Sequence, residues 1–256
     1  EEKGVRMSIT TILNVYRRPE HLRYQIEAIL NQSVKSDQIW IWVNKSKESD
    51  RFDFESINSD LIEEHDIRIV RNNFNWKFCG RFSLACMVDT EYTAIFDDDT
   101  MPGVNWYKNC LETIDTVNPR PILGGVGDIL RGDCMTYFPL DKEGWSQPNY
   151  TAAEVDLAGH AWFFPASYIK YMWLEKPMWE NGEDMHFSAM CQIHGGIKTI
   201  VPPHAKNDKS RWSSLRGMEL GVSDVASYCN NTDKFLEERT DCVKKLRNLG
   251  WAPLRV

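Results

Sequence analysis

Tyr92-Thr93-Ala94-Ile95-Phe96-Asp97-Asp98-Asp99-Thr100 is an apolar, β-prone run that ends in three consecutive carboxylates. Like charges on adjacent residues repel, so a fold that gathers them at a strand end commonly holds a cation there. Mg²⁺ or Mn²⁺ fits best, because hard divalent ions take oxygen ligands and keep open positions that nucleotide phosphates fill. The bland alternative is an acidic turn, since Asp favours turns and Pro102 and Gly103 follow. The strand ahead of the triplet favours the metal, as ligands of open α/β sheets gather at the carboxyl ends of strands.

Outward from this segment, strand and helix signals alternate. Ser8 to Val15 is β-rich, Pro19 opens a helix with Leu22, Ile26, Ile29 and Leu30 on one face, and Ile39 to Val43 reads as a second strand. Ile67 to Val70 supplies a third strand and Trp76 to Val88 a second helix. Such alternation implies a parallel sheet, so residues 8–103 form a β-α-β-α-β nucleotide-binding half. Beyond a helix over Val104 to Val117, short strands at Ile122 to Val126, Met135 to Phe138 and Val155 to Phe164 indicate a mixed-sheet extension. A helix over Gly182 to His194 and a strand over Ile197 to Val201 complete it before Pro202-Pro203. The expected organisation is α/β, with a catalytic domain over 1–222, its second half beginning near 104, and a charged helical extension over 223–256.

The chain has 256 residues, 42% of them hydrophobic, with 30 basic and 37 acidic side chains for a net charge of −7. That balance argues against general affinity for nucleic acid or anionic membranes. No apolar stretch approaches the roughly 20 residues that span a bilayer, and Glu1-Glu2-Lys3-Gly4 lacks a leader pattern. The missing initial Met leaves room for an anchor or companion domain outside this sequence. The seven cysteines include no CxxC pair and read as reduced thiols, with Cys86, Cys110 and Cys191 inside apolar helical patterns. Free thiols without a leader favour the cytoplasm; a Golgi lumen fits if an anchor precedes, and the localisation stays open.

An ordered set of motifs resembles one family, the nucleotide-sugar-dependent glycosyltransferases of the type A fold (GT-A), particularly family 2-like and exostosin-like members. The set comprises Thr11 to Pro19 at the first strand end, Asn72 to Arg81, the Asp97–Asp99 triplet, and Trp179-Glu180-Asn181-Gly182-Glu183-Asp184, all within residues 8–204. The resemblance implies a Rossmann-like mixed sheet flanked by helices, a nucleotide-sugar donor, a glycan or glycoconjugate acceptor, and Mn²⁺ or Mg²⁺. It points to Val15, Tyr16, Arg17 and Asn44 for the nucleoside, and to Arg81, with Asn75 or Lys77 sharing the role, for the donor diphosphate or sugar. Physically, Tyr can stack a base and a helix N-terminus favours phosphate, while a guanidinium grips two phosphate oxygens.

Within the triplet the resemblance assigns Asp99 to the metal, Asp97 to the ribose or the metal, and Asp98 to the donor sugar. Strand alternation supports a division, since adjacent side chains point to opposite sides. Asp184, with Glu183 second, is implied as the base that removes the acceptor proton, although acids in a first helical turn also serve the helix dipole alone. His204 is the implied third metal ligand, and Lys206, Lys209 and Arg211 a cationic flap. His160 and Trp162 are expected to touch acceptor or donor sugar, because sugars present apolar C–H faces to aromatic rings.

These residues give a metal-dependent transferase that takes a sugar from a nucleotide donor, expected to be UDP-linked, with inversion favoured. Three alternatives stand beside it: a retaining exostosin-like transferase, a sugar-phosphate nucleotidyltransferase, and a non-catalytic glycan- or nucleotide-binding module. The nucleotidyltransferase usually carries a glycine-rich loop after its first strand, and Asn14 to Pro19 contains no glycine.

Overall fold

The computed structural model describes residues 7–145, 147–220 and 232–255. Its nine strands are β1 (Ile9–Val15), β2 (Gln38–Val43), β3 (Arg68–Arg71), β4 (Tyr92–Phe96), β5 (Ile122–Leu130), β6 (Leu140–Gly144), β7 (Ala153–Val155), β8 (Leu157–Pro165) and β9 (Thr199–Val201). They form one sheet in the order β3-β2-β1-β4-β8-β5-β9-β7, with β6 paired to β5. β3, β2, β1 and β4 run parallel, β8 lies antiparallel between β4 and β5, and β9 is parallel to β5. The chain leaves β1 toward β2 on one side, while β4 flanks β1 on the other. The crevice at the carboxyl ends of β1 and β4 is therefore a topological switch point, where open α/β sheets bind ligands.

The longer helices are α1 (Leu22–Leu30), α6 (Trp106–Ile114), α8 (Glu183–Gly195) and α10 (Thr232–Asn248), with a six-residue α5 (Gly80–Ala85) ahead of β4. Short helices α2 (Lys47–Arg51), α3 (Phe54–Ile57) and α4 (Ser59–Glu64) link β2 to β3, α7 (Ile169–Met172) follows β8, and α9 (Gly217–Leu220) precedes α10. α1 buries Leu22, Ile26 and Ile29 at helical spacing, and with α6 covers one face of the sheet in a core with Leu13, Tyr92, Phe96, Trp106 and Phe163. The other face holds Ile12, Trp42, Phe82, Ile95, Trp162, Phe164 and Phe187. A third cluster joins α8 to α10 through Met185, Met190, Cys242, Val243 and Leu246.

Several local expectations are corrected. Met135 to Phe138 is a turn region rather than a strand, and the strand comes later as β6, where residues Leu140 to Gly144 find β5 as partner. The segment from Val155 to Phe164 is broken at Asp156, whose carboxylate accepts the backbone N–H groups of Leu130 and Leu254. Cys86 is exposed at the end of α5, whereas Cys110 and Cys191 are buried, and the six described cysteines are all free thiols. The start of the tail helix near Ser223, and Cys229, lie outside the described residues. Among the described residues no helix is long and apolar enough to cross a membrane.

Two buried imidazoles set an acid limit on this fold. His186 sits 3.1 Å from the carbonyl oxygens of Met172 and Glu175 and donates to them through Nε2. His204 donates from Nδ1 to Pro202 O at 2.8 Å, and its Nε2 accepts the Ser213 N–H. Burial pulls both down to about 4. Unfolded imidazoles titrate near 6.5, so in the window between the two values the unfolded chain takes up protons that the folded chain refuses. Stability is expected to fall as pH drops through that window, by on the order of 2 kcal/mol per histidine at pH 5. Denaturant unfolding at pH 7 and pH 5 should show a smaller pH dependence for His204→Gln than for the wild type. Equal dependence would remove His204 from this role.

Candidate functional site

The triplet occupies the loop immediately after β4, and α1 fixes its backbone. Gln25, 1% exposed, donates from Nε2 to Asp97 O at 2.6 Å and to Thr100 O at 3.1 Å, while His21 Nδ1 donates to Asp98 O. The three side chains then diverge. Asp98 pairs with Arg18 Nη1 at 2.8 Å, Asp99 lies 3.2 Å from the same nitrogen, and Asp97 faces Arg81 at 3.0 Å. Burial and the neighbouring Asp99 push Asp98 up to about 6 against the pull of Arg18. Burial also acts on Asp99, but His160, Arg18 and Thr100 outweigh it and take Asp99 down to about 2.

His160 is the histidine that the fold brings to these carboxylates. Its Nδ1 lies 3.7 Å from Asp99 Oδ1 and 3.9 Å from Asp97 Oδ2, and its carbonyl accepts the Asp97 N–H at 2.9 Å. Its φ of 63° is left-handed, an uncommon conformation for a non-glycine residue in a strand and one that concentrates at functional sites. Trp145 stacks on the ring at 4.8 Å and fixes its plane. One ligand atom each from Asp97, Asp99 and His160 falls within 4.8 Å of the others, the one such group of three among the described residues.

His204, expected as the third ligand, is not part of that group. It is fully buried between Trp106 and Trp212 with both ring nitrogens hydrogen-bonded, so no lone pair is left for an ion. Trp162, expected at a sugar, is 1% exposed and donates its indole N–H to Ala158 O, serving the core instead. The cationic flap is also redistributed: Arg211 binds Asn109 and Glu112 on α6, and Lys209 lies over the Trp212 ring.

Arg81 lies under the cleft, 4.9 Å over the Trp162 ring, with Nη2 2.8 Å from Glu183 Oε1 and 3.0 Å from Asp97. It ties the triplet to the acid pair on α8. Burial and Asp184 push Glu183 up to about 7, with Arg81 and Arg239 opposing. Replacing Arg81 with Met leaves two carboxylates without their shared cation, and a cost of about 3–5 kcal/mol is expected from broken buried pairs. Chemical denaturation should show it, with Glu183→Gln recovering part of the loss in the Arg81→Met background. A loss under about 1 kcal/mol would mean that the pair is not structural.

Gly182 precedes α8 at φ 88°, a left-handed turn at which a Cβ would also meet Cys242 Sγ at 2.7 Å. That turn directs Glu183 inward to Arg81 and Asp184 beside it. Asp184 accepts its own helix's Met185 N–H at 2.7 Å and pairs through Oδ2 with Arg239 at 2.8 Å. Arg239, from α10, also binds Asn181 Oδ1 and lies 4.2 Å over the Tyr137 ring. The tail helix is thus part of the site, which the charged sequence of 232–248 did not signal. Arg18, which in sequence is an unremarkable helix entry, was likewise hidden; only its place beside Pro19 at the strand end hinted at it.

The cleft over the triplet has a volume of about 370 Å³ and is lined by Asn14, Tyr16, Arg17, Asn44, Lys77 and Glu180 together with residues of α10. Val15 is buried as the last residue of β1, below this wall. Asn44, 3% exposed, gives its amide to Asn75 Oδ1 and Lys77 O and accepts the Trp76 N–H. Asn75 donates to the Tyr16 hydroxyl at 3.0 Å. Both asparagines therefore hold the 75–77 loop and aim Tyr16, and the cleft presents Tyr16 and Arg17 themselves.

Solved structures share this arrangement of strands and helices. A structure of S. aureus TarS 1-349 superposes with a TM-score of 0.58 at 14% identity, covering 98% of this chain and 75% of that one. A longer S. aureus TarS structure gives 0.59 at 12% identity, covering 92% and 43%. The mannosyltransferase PcManGT from Pyrobaculum calidifontis, in complex with GDP-Man and Mn²⁺, gives 0.53 at 15% identity, covering 76% and 54%. The chain has the type A fold of the glycosyltransferases. In the type A fold the mixed sheet and its flanking helices match expectation, as does the acidic group at the end of β4. No protein-family model matches the sequence, and a search of curated proteins found no match to it.

Proposed function

We propose that this chain is a metal-dependent glycosyltransferase that moves a sugar from a nucleotide-sugar donor, UDP-sugars being the first class to test, to a hydroxyl of a glycan or glycoconjugate with inversion. The observation that carries this reading is the grouping of His160 with Asp97 and Asp99, two carboxylates in the wall of the cleft, close to Asp184 at the start of α8. Asp184 Oδ2 lies 4.0 Å from where a Cβ on Gly159 would stand, and Gly159 directly precedes His160. The carboxylate read as the base therefore stands beside the strand that carries His160.

Two carboxylates and an imidazole suit Mn²⁺, and Asp97 Oδ1 is buried without a hydrogen bond although Arg81 stands 3.0 Å away. A bound Mn²⁺ or Mg²⁺ would supply Lewis acidity toward the departing diphosphate. The remaining work falls to the chain. Tyr16 offers its ring to the nucleoside, and Arg17 and Lys77 bring positive charge to the phosphate side of the cleft. Asp184 takes the proton of the acceptor hydroxyl as that oxygen attacks the anomeric carbon, and Arg239 holds the carboxylate in place. That PcManGT is in complex with GDP-Man and Mn²⁺ supports a nucleotide-sugar donor and a metal, without favouring uridine.

The test is to incubate the protein with Mn²⁺, a pool of oligosaccharide acceptors and a panel of UDP-, GDP- and TDP-sugars, and to measure nucleoside diphosphate release. One donor should be consumed, chelation should stop it, and proton NMR should show inverted anomeric configuration in the product. Release from none of them would refute the transferase reading.

A further inference from the structure

Phe74, Trp76 and Trp179 form a triangle of rings with centroids 5.8 to 6.0 Å apart. Large aromatic side chains are normally drawn into the core, yet Phe74 is 54% exposed and Trp76 38% exposed. The cluster joins two separate loops, one after β3 and one before α8. It borders the cleft directly, because the next residues along each loop, Lys77 and Glu180, form its wall and are ion-paired at 3.0 Å. The Trp76 backbone N–H donates to Asn44 Oδ1 at 2.8 Å, so the loop that carries this ring is held by the same scaffold that aims Tyr16.

We infer that this aromatic triangle is the platform on which pyranose rings of an oligosaccharide acceptor stack. The inference deepens the transferase reading and rests on it for the word acceptor, replacing Trp162 as the sugar-facing tryptophan. Pyranose C–H faces pack on indole and phenyl rings, and an adjoining ion pair offers hydrogen bonds to hydroxyl groups. Trp179 lies five residues before Asp184 in the segment that delivers the base, which places the platform on the acceptor side of the cleft. A nucleobase is expected at Tyr16, across the loop. Three rings are also too small a patch for a stable protein interface, which takes on the order of 800 Å² per partner.

The experiment measures binding of the intact chain to cello-, malto-, chito- and xylo-hexaoses by tryptophan fluorescence and calorimetry, without donor or metal. One series should bind, and Trp76→Ala and Trp179→Ala should each weaken it by about 10-fold, the scale of one lost aromatic stacking contact. Trp76→Phe should stay within about 3-fold of wild type, since a ring remains. Nucleotide-sugar affinity should not move in any of the three variants, and melting temperatures near that of the wild type should show that each keeps the fold. Absence of oligosaccharide binding to wild type, or alanine variants that bind as wild type does, overturns the platform. So does a selective loss of donor affinity, which would make the triangle a nucleobase site. Oligosaccharide binding in a protein that consumes no donor would keep the platform and remove the transferase reading, so the two failures are separable.

Discussion

Asp184→Asn is expected to lower the rate of sugar transfer by about 10²- to 10⁴-fold, the usual contribution of a positioned general base. The amide keeps an oxygen for the Met185 N–H, so the first turn of α8 retains its geometry. What it loses is the proton acceptor, and donor affinity should change by less than about 3-fold, because an interaction made only as the acceptor oxygen attacks does not contribute to donor binding. The ion pair with Arg239 makes a control necessary. Arg239→Lys preserves a cation beside the carboxylate but not the fork that also reaches Asn181, so it should reduce turnover by less than Asp184→Asn does. Initial rates with saturating donor measure both. Transfer by Asp184→Asn within about 3-fold of wild type would remove Asp184 from the base role.

Asp99→Ala is expected to weaken Mn²⁺ binding by at least about 100-fold and to abolish metal-dependent donor binding with it. The lost carboxylate is the one that His160 and Arg18 hold ionised, so no neighbour substitutes for it. His160→Ala should weaken Mn²⁺ by about 10- to 100-fold, whereas His204→Gln should leave it unchanged. Electron paramagnetic resonance of Mn²⁺ titrations reads all three variants without any turnover. A wild-type affinity in His160→Ala together with a loss in His204→Gln would restore the ligand set that the sequence pattern implied.

Those two histidines show where sequence reading runs out. Each element near the triplet was legible because strand patterning and helix spacing are local: Tyr92 to Phe96, the apolar face of α1, and the first turn of α8 all carry their own signals. His160 and His204 differ only in tertiary placement. β8 runs antiparallel beside β4 and delivers His160 against Asp97, while the turn after Pro203 takes His204 into the core. Trp162 was misjudged for a related reason: alternation would put it on the same face as His160, but the left-handed φ of His160 and the register shift there break the alternation and turn Trp162 into the core. Arg239 lay further out of reach. A helix rich in Lys, Arg, Asp and Glu reads as solvated throughout, and only its packing on α8 through Cys242, Val243 and Leu246 turns Arg239 toward Asp184.

The central claim is that one cleft binds a nucleotide-sugar through a cation held by Asp97, Asp99 and His160. Isothermal titration calorimetry of UDP-, GDP- and TDP-sugars with Mn²⁺, and again with EDTA, tests it most directly. One donor should bind with Mn²⁺ and lose that binding in EDTA and in Asp99→Ala. Equal binding with and without Mn²⁺, or no binding to any donor, would contradict it.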